Sequence, residues 1–302
     1  MIFDTHAHYD DEQFDNDREA LLASLFAHKE CGGGSAAMDA GRIGAVVDVG
    51  STPESLAKVM AIARLHDSVY AAVGIHPDEV GAITDEVVRE IKEDLTDPKT
   101  IAVGEIGLDY YWNKEEHDIQ EHWFRRQIEL AFEYDKPIIV HSRAAAEDTM
   151  RVIKDYYGPA AGRTACAAAA SAAQETVGDQ ETIDTVAKQS SRPGIIHCYA
   201  YSVEMAREYV AMGFMLGIGG VVTYKNGRKL KEVVQAIPLE YLVLETDCPY
   251  LSPEPNRGRR NSSLNLPYVV KAIAELKGVT EQEVEEVTWQ NACKVFRLEP
   301  GK

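Results

Sequence analysis

The chain opens with Met1-Ile2-Phe3-Asp4-Thr5-His6-Ala7-His8, an apolar run followed by two histidines that are separated by one residue. The apolar run predicts a β-strand, and on a strand residues i and i+2 point to the same face. His6 and His8 can therefore reach one point in space, as two ligands of one metal ion must. A His-x-His pair alone also fits two surface histidines near a terminus, so the residues that end the later strands decide between the two interpretations.

Length and composition limit the class of protein. The chain has 302 residues, which suits one large α/β barrel domain. Its 45% hydrophobic and 26% charged residues are ordinary for a soluble globular protein. No apolar run has the length of a membrane span, and the N-terminus lacks the basic and apolar regions of a signal peptide. Because the five cysteines are scattered, we expect no disulfide framework and a cytoplasmic protein without membrane association.

The charge balance limits the partners. A formal net charge of −18 counts against broad, non-specific binding of nucleic acid, which normally uses a basic surface. It does not exclude a small basic site on an acidic body. Divalent cations bound in a site would also contribute positive charge of their own. No sequence feature indicates an obligate protein partner.

Apolar, β-branched runs alternate with helical patterns along the whole chain. Eight runs have the character of strands that are buried on both faces, as in a parallel sheet. They span residues 2–3, 45–49, 69–73, 101–103, 137–140, 194–196, 214–218 and 241–244. Eight strand–helix repeats predict a closed (β/α)₈ TIM barrel. A doubly wound open sheet is the alternative, but no glycine-rich dinucleotide fingerprint follows the first strand.

Two segments interrupt this alternation. Residues near 31–41 contain Gly32-Gly33-Gly34-Ser35 and precede the second strand. Residues 158–192 include an alanine-rich stretch and lie between the fifth and sixth strands, where one helix would suffice. We interpret both as insertions into a single barrel domain spanning residues 1–302. The alanine-rich part is compatible with an extra helix or with a loop.

Polar side chains follow six of the predicted strands. In a (β/α)₈ barrel the carboxyl ends of the strands converge on the face that holds the active site. The residues at these ends are His6, His8, His76, Glu105, His141, His197 and Asp247. Imidazoles and carboxylates suit zinc, manganese or iron, and a shell richer in carboxylate and water favours magnesium. Five histidines and two carboxylates at one face therefore predict a metal centre.

These side chains exceed the needs of one tetrahedral ion, so we predict a two-metal site. Glu105 could bridge with its two oxygens, and two ions about 3.5–4 Å apart would activate a water and clamp the attacking and leaving oxygens. Asp247 is the candidate general base, because one oxygen can bind metal while the other takes a proton. No strand-end lysine suits carbamylation, which favours a bridging glutamate.

The strand-end motifs resemble those of the TatD family of metal-dependent deoxyribonucleases, within the amidohydrolase-like hydrolases. The matching stretches are Asp4-Thr5-His6-Ala7-His8, Gly74-Ile75-His76-Pro77, Gly104-Glu105-Ile106-Gly107-Leu108-Asp109, Val140-His141-Ser142-Arg143, Ile196-His197-Cys198 and Glu245-Thr246-Asp247-Cys248-Pro249. The resemblance spans nearly the whole chain. It implies one ion on His6, His8, Glu105 and Asp247, and a second on Glu105, His141 and His197. It also implies a position for His76 near the scissile phosphate.

The resemblance implies two Mg²⁺ or Mn²⁺ ions and hydrolysis of DNA from the 3′ end of single strands. The imidazole ligands add Zn²⁺ as a further candidate. Arg143 could bind a phosphate bidentately. Arg257 and Arg259 follow the last strand, where phosphate sites are common in this fold. Tyr111 and Trp112 follow the fourth strand and could stack on bases.

Two other classes of function remain open at this stage. The same ligand set could polarise a carbonyl, so a hydrolase of an amide, a lactone or an aminoacyl-tRNA ester is the alternative. A non-catalytic binding protein that keeps the fold is a third hypothesis. The complete set of predicted ligands, with Asp247 as base, argues against the third.

Overall fold

Eight parallel strands lie side by side in chain order around one sheet, from β1 to β8. The computed structural model describes residues 1–26, 42–112, 116–159 and 192–299. The strands are β1 Ile2–Ala7, β2 Ile43–Val49, β3 Val69–Val73, β4 Thr100–Asp109, β5 Ile138–Arg143, β6 Ile195–Ile196, β7 Met215–Ile218 and β8 Leu242–Leu244. This consecutive order confirms the TIM barrel and excludes a doubly wound sheet, whose strand order reverses.

The barrel closes where the first strand meets the chain that follows the last. Ala7 pairs in parallel with Cys248, and the backbone N–H of His8 donates to the Cys248 carbonyl at 2.8 Å. The N–H of Asp247 donates to the His6 carbonyl at 2.9 Å. The closing bonds therefore join the two stretches that carry predicted metal ligands, which holds those ligands in register.

Helices cover the outside of the barrel between the strands. In the described ranges they are α1 Arg18–Leu25, α2 Pro53–Leu65, α3 Asp85–Asp94, α4 His117–Glu133, α5 Ala146–Tyr157, α6 Val203–Ala211, α7 Arg228–Ala236, α8 Leu266–Lys277 and α9 Glu281–Phe296. None of these is long and apolar enough to cross a lipid bilayer. The predicted insertion near 31–41 lies outside the described residues, as does nearly all of 158–192, so the single domain with two insertions stays a prediction.

Local sequence explains where individual helices begin. At α2, the Thr52 hydroxyl accepts from the Ser55 N–H at 3.1 Å, the Ser55 hydroxyl accepts from the Thr52 N–H at 3.0 Å, and Pro53 occupies the first turn. Pro suits that turn because the N–H it lacks would have no helical partner. At α9, the Thr280 hydroxyl accepts from the Glu283 N–H at 3.1 Å and caps the first turn.

The strands are buried on both faces, as their continuous apolar runs predict. Ile2 and Val46 pack in the outer cluster against the helices, whereas their neighbours Phe3 and Val47 pack in an inner cluster with α9. The Phe3 and Phe296 rings lie 5.7 Å apart there. Burial of each such side chain contributes about 1.5–3 kcal/mol.

Helix α9 closes the amino end of the barrel. Arg42, which precedes β2, pairs with Glu285 of α9, and the N-terminal ammonium of Met1 lies 3.2 Å from the same carboxylate. The carboxyl ends of the strands therefore form the opposite face, where the predicted ligands lie.

Candidate metal centre

Six predicted ligands converge at the carboxyl ends of five strands. Strand β1 supplies His6 and, one residue past its end, His8. Strands β4 and β5 supply Glu105 and His141, while His197 and Asp247 follow β6 and β8. These six residues, the cluster, are His6, His8, Glu105, His141, His197 and Asp247.

Glu105 divides its two oxygens between two sets of histidines. Its Oε2 lies 3.5 Å from His6 Nε2 and 3.8 Å from His8 Nε2. Its Oε1 lies 2.8 Å from His141 Nδ1 and 3.7 Å from His197 Nε2. The potential ligand atoms of each set lie within 4.8 Å of one another. Two sets of ligand atoms, each compact enough to hold one ion, thus share the Glu105 carboxylate.

Asp247 completes the cluster on its solvent side. Its Oδ1 lies 3.5 Å from His8 Nε2 and 3.7 Å from His197 Nε2. Its side chain is 20% exposed, whereas the side chains of Glu105 and His197 are 5% and 4% exposed. Of these three residues, Asp247 is therefore the one best placed to meet a molecule that arrives from solvent.

Three of the histidines use their other ring nitrogen to donate to a fixed acceptor. His8 Nδ1 donates to the Val49 carbonyl at 2.8 Å. His141 Nε2 donates to Asp109 Oδ2 at 3.0 Å, and His197 Nδ1 donates to Glu245 Oε2 at 3.2 Å. These bonds fix the orientation of each ring. The ring nitrogen opposite the donating one therefore points into the cluster. Histidine ligands of metal ions commonly have this second bond.

Asp109 and Glu245 are thus part of the site, although sequence reasoning assigned them no role. Each lies in a quoted motif, but in the sequence neither carboxylate is close to the histidine that it contacts, so the sequence alone does not join the pairs. Glu245 is 1% exposed and its Oε1 also accepts from the Cys198 N–H at 2.6 Å. It lies against Gly217, where an added Cβ would be 2.0 Å from Glu245 Oε2. Glycine at 217 therefore makes room for the buried carboxylate.

The charges of the cluster favour cations. Burial would lower the pKa of His8, His141 and His197, but bonds to and charges of the neighbouring carboxylates raise the three values to about 10, 9 and 9. Burial would raise the pKa of Glu105, but the charges of His6 and His197 hold it well below its usual range. The carboxylates are therefore anionic and attract protons onto the imidazoles. Divalent cations would replace those protons, so the donor set fits metal ions.

His76 lies beside the cluster and presents a hydrogen-bond donor to it. It precedes the 3₁₀ helix Pro77–Ala82, and its Nδ1 accepts from the Asp78 N–H at 3.2 Å. Burial and the charge of His141 lower its pKa to about 4, so the ring is neutral with its proton on Nε2. That atom lies 4.0 Å from Glu105 Oε1. An oxygen atom bound near the cluster could accept this proton in a hydrogen bond.

The predicted substrate-binding arginines lie further out. Arg143 ends β5, two residues after His141, and is exposed. Arg257 and Arg259 lie in the loop after β8 and are also exposed. The Arg257 guanidinium lies 4.2 Å from the centre of the Tyr224 ring and 3.9 Å from Glu254. Within the described ranges, no hydrogen bond or ion pair joins these two loop arginines to the cluster.

Comparison with known proteins identifies the family. The family profile described as "TatD related DNase" matches residues 3–297, a range that contains the whole cluster. This chain belongs to the TatD family of metal-dependent hydrolases. The predicted family and the general class of enzyme are therefore confirmed.

Two curated relatives match most or all of this TatD-family chain. An uncharacterized metal-dependent hydrolase of Bacillus subtilis (strain 168), YabD, is 38% identical over 298 residues, which cover 99% of this chain and 100% of that protein. An uncharacterized metal-dependent hydrolase of Mycobacterium tuberculosis, TatD, is 34% identical over 259 residues, which cover 84% and 86%. Both relatives are thus named as metal-dependent hydrolases.

A solved structure supports the same assignment for the fold of this hydrolase. The crystal structure of YjjV, a TatD homologue from Escherichia coli K12, superposes with a TM-score of 0.79 at 27% identity. The match covers 99% of this chain and 98% of that one. The (β/α)₈ architecture therefore agrees with that of a relative over nearly all of both chains.

Proposed function

We propose that this TatD-family hydrolase uses two divalent metal ions to cleave phosphodiester bonds of DNA, as a 3′–5′ exonuclease on single-stranded ends. The main support is the bridging position of Glu105, whose two oxygens face separate pairs of histidines. His6, His8, Glu105 and Asp247 would hold one ion, and Glu105, His141 and His197 the other. We propose Mg²⁺ or Mn²⁺, with Zn²⁺ as a further candidate because four imidazoles also suit it.

When bound, two such ions would lower the pKa of a water and stabilise charge on the attacking and leaving oxygens. Asp247 would act as the general base. Burial would raise its pKa, but the positive charge of His197 and the bond from His8 lower it, so the carboxylate is ionised at neutral pH. Its Oδ1 faces the histidines, which leaves Oδ2 to accept a proton from the attacking water.

Two donors would hold the scissile phosphate. His76 offers its Nε2 proton at the edge of the cluster. Arg143 adds an exposed guanidinium two residues beyond His141, and its positive charge also acts on the Asp78 carboxylate. A cation at the entrance of an otherwise acidic protein favours an anionic substrate over a neutral amide or lactone. Arg257 and Arg259 would contact phosphates further along the strand.

Products from a labelled oligonucleotide test this function. The purified enzyme is incubated with a 5′-labelled single-stranded DNA and Mg²⁺ or Mn²⁺. We expect a ladder that shortens from the 3′ end and disappears with a chelator or in Asp247→Asn. Asp67→Asn, the same change at an exposed residue, should leave the ladder intact.

An intact oligonucleotide with a metal-loaded wild-type enzyme would contradict the proposal. Hydrolysis of an aminoacyl ester under those conditions would then favour the carbonyl-hydrolase alternative.

The cytoplasmic location is also part of this proposal, because Cys198, Cys248 and Cys293 are free thiols, as in a reducing compartment.

A further inference from the structure

Strands β4 and β5 remain paired beyond the cluster and fix a group of side chains at the entrance. Asp109 pairs with Arg143, and the N–H of Tyr110 donates to the Arg143 carbonyl at 2.9 Å. Arg143 is thereby placed against the two residues that follow Tyr110. We call Tyr111, Trp112 and Arg143 the rim platform.

The rim platform has a defined geometry. The rings of Tyr111 and Trp112 lie 4.7 Å apart at 88°, so they form two walls of a corner. The Arg143 guanidinium carbon lies 4.1 Å from the centre of the first ring and 5.4 Å from the centre of the second. Stacking on the rings holds the guanidinium in place and leaves its outward face and N–H edges open.

One carboxylate connects the rim platform to the cluster. Asp109 Oδ2 accepts from His141 Nε2, while its Oδ1 accepts from the N–H of Tyr111 at 2.8 Å and of Trp112 at 3.2 Å. The position of the platform is therefore fixed relative to a proposed metal ligand. A molecule that lies on the platform would hold its neighbouring groups at a fixed distance from the cluster.

The exposure of these side chains indicates that the rim platform is a binding surface. Trp112 is 64% and Tyr111 50% exposed, although both are large aromatic residues. Large aromatic rings that stay exposed beside a site commonly mark a binding surface. Arg143 is exposed as well, on a chain whose formal net charge is −18. The platform thus combines flat apolar faces with an exposed cation.

We propose that the rim platform binds an unpaired nucleobase of the substrate strand. The base stacks on the open faces of Trp112 and Arg143, and the N–H edges of Arg143 hold the adjoining phosphate. Bases that are not in a helix stack on aromatic rings and guanidinium planes in this way. The inference rests on the proposed function and adds a subsite to it: the rim platform, which holds one unpaired base of the strand. Because every base has a flat face, the site requires a base but tolerates any sequence.

Binding of two matched oligonucleotides tests the platform. One is a fluorescent single-stranded DNA, and the other has the same length and charge but three abasic residues at its 3′ end. Dissociation constants are measured by anisotropy with Ca²⁺ in place of the activating metal. We expect the wild type to bind the base-bearing strand about tenfold more tightly, the effect of one base–aromatic stack. The double variant Tyr111→Ala/Trp112→Ala should bind both strands equally.

Two further variants separate stacking from charge. Arg143→Lys keeps the cation but loses the flat guanidinium, so it should reduce the preference for the base-bearing strand while the salt dependence of binding stays unchanged. Tyr268→Ala removes a 39% exposed aromatic side chain from α8 and should keep the full tenfold preference. A double variant at 111 and 112 that still prefers the base-bearing strand would overturn the inference.

The same oligonucleotides separate this inference from the proposed function. Hydrolysis of the base-bearing strand, together with an unchanged preference in the double variant, would contradict the platform alone. A preference that depends on Tyr111 and Trp112, with no hydrolysis by the metal-loaded wild type, would support the platform and contradict the exonuclease.

Discussion

The bottom and the rim of this site differ in how completely their side chains are held. At the bottom, His6, Glu105 and His197 are at most 5% exposed, and Glu105 and His197 have fixed hydrogen-bond partners. At the rim, Tyr111 and Trp112 are at least half exposed, and their rings contact each other and Arg143. Burial at the bottom strengthens electrostatic interactions and fixes the reacting groups in advance. Exposure at the rim leaves surfaces free for a ligand.

This difference separates chemistry from recognition. Changes at the bottom should alter turnover or metal affinity by large factors, because buried charged groups lose partners that nothing replaces. Changes at the rim should alter substrate affinity by smaller factors, because water and salt screen exposed charges.

The largest effect is expected for Asp247→Asn. An amide has nearly the same shape but cannot take the proton from the attacking water, so kcat should fall about 10²- to 10⁴-fold. Circular dichroism should show the fold retained, since asparagine has nearly the same size and keeps the backbone bond from residue 247 to His6. Turnover is measured on the labelled oligonucleotide at saturating metal. Activity within a factor of two of the wild type would exclude Asp247 as the base.

A smaller effect is expected for Glu245→Gln, which changes the acceptor of His197 without changing its size. Loss of the buried negative charge weakens the bond that orients His197, so metal affinity should fall about 10- to 100-fold. Calorimetric titration with Mn²⁺ measures this. Glu240→Gln, the same change at an exposed residue before β8, serves as the control. Equal Mn²⁺ affinities of Glu245→Gln and Glu240→Gln would show that the hydrogen bond from His197 to residue 245 does not affect metal binding.

The pH dependence of stability should also reveal the bottom of the site. The pKa values of His8, His141 and His197 are raised from 6.5 to about 10, 9 and 9, so without metal these groups stabilise the folded state while protonated. That contribution is complete below pH 6.5 and is lost as the pH rises through 9 to 10. The Tm of chelator-treated protein should therefore fall over this range by several degrees.

Metal-loaded protein provides the matched control for this pH series. Burial also raises the pKa of Asp4, to about 7, which acts in the same direction, but it does so with or without metal. The difference between the two Tm curves therefore isolates the histidines. A metal-free Tm that stays level or rises between pH 6.5 and 10 would contradict the assigned charges.

The smallest effect is expected at the outer edge of the rim. Arg257 is exposed and already lies 3.9 Å from Glu254, so Arg257→Ala should raise KM about two- to threefold at low salt and have no effect at high salt. Arg228→Ala, at an exposed position on α7, is the control. A tenfold change in kcat for Arg257→Ala would show that this loop takes part in the chemistry.

Sequence patterns predicted the barrel because strands that are buried on both faces appear in the sequence as continuous apolar runs. They missed the length of β4, predicted as 101–103 and observed as Thr100–Asp109. The strand continues through Glu105 to Asp109, two polar residues that are buried, and residues 106–109 pair with β5. A pattern of hydrophobicity cannot distinguish such residues from the start of a loop.

The cluster was predictable for a related reason, since strand ends of a barrel meet at one face wherever they fall in the sequence. The roles of Asp109 and Glu245 were not, because each depends on which neighbouring histidine the carboxylate contacts. The stacking of Arg143 on Tyr111 likewise requires the paired ends of β4 and β5. Contacts between strands are absent from a single sequence until the fold sets their register.

The number of metal ions bound per chain tests the central claim most directly. Chelator-treated wild type, Glu105→Ala and the exposed control Glu90→Ala are dialysed against Mn²⁺ and examined by elemental analysis. Because Glu105 faces both sets of histidines, we predict two ions for the wild type and the control, and fewer than one for Glu105→Ala. Two ions retained by Glu105→Ala, or no more than one bound by the wild type, would contradict a two-metal centre bridged by this glutamate.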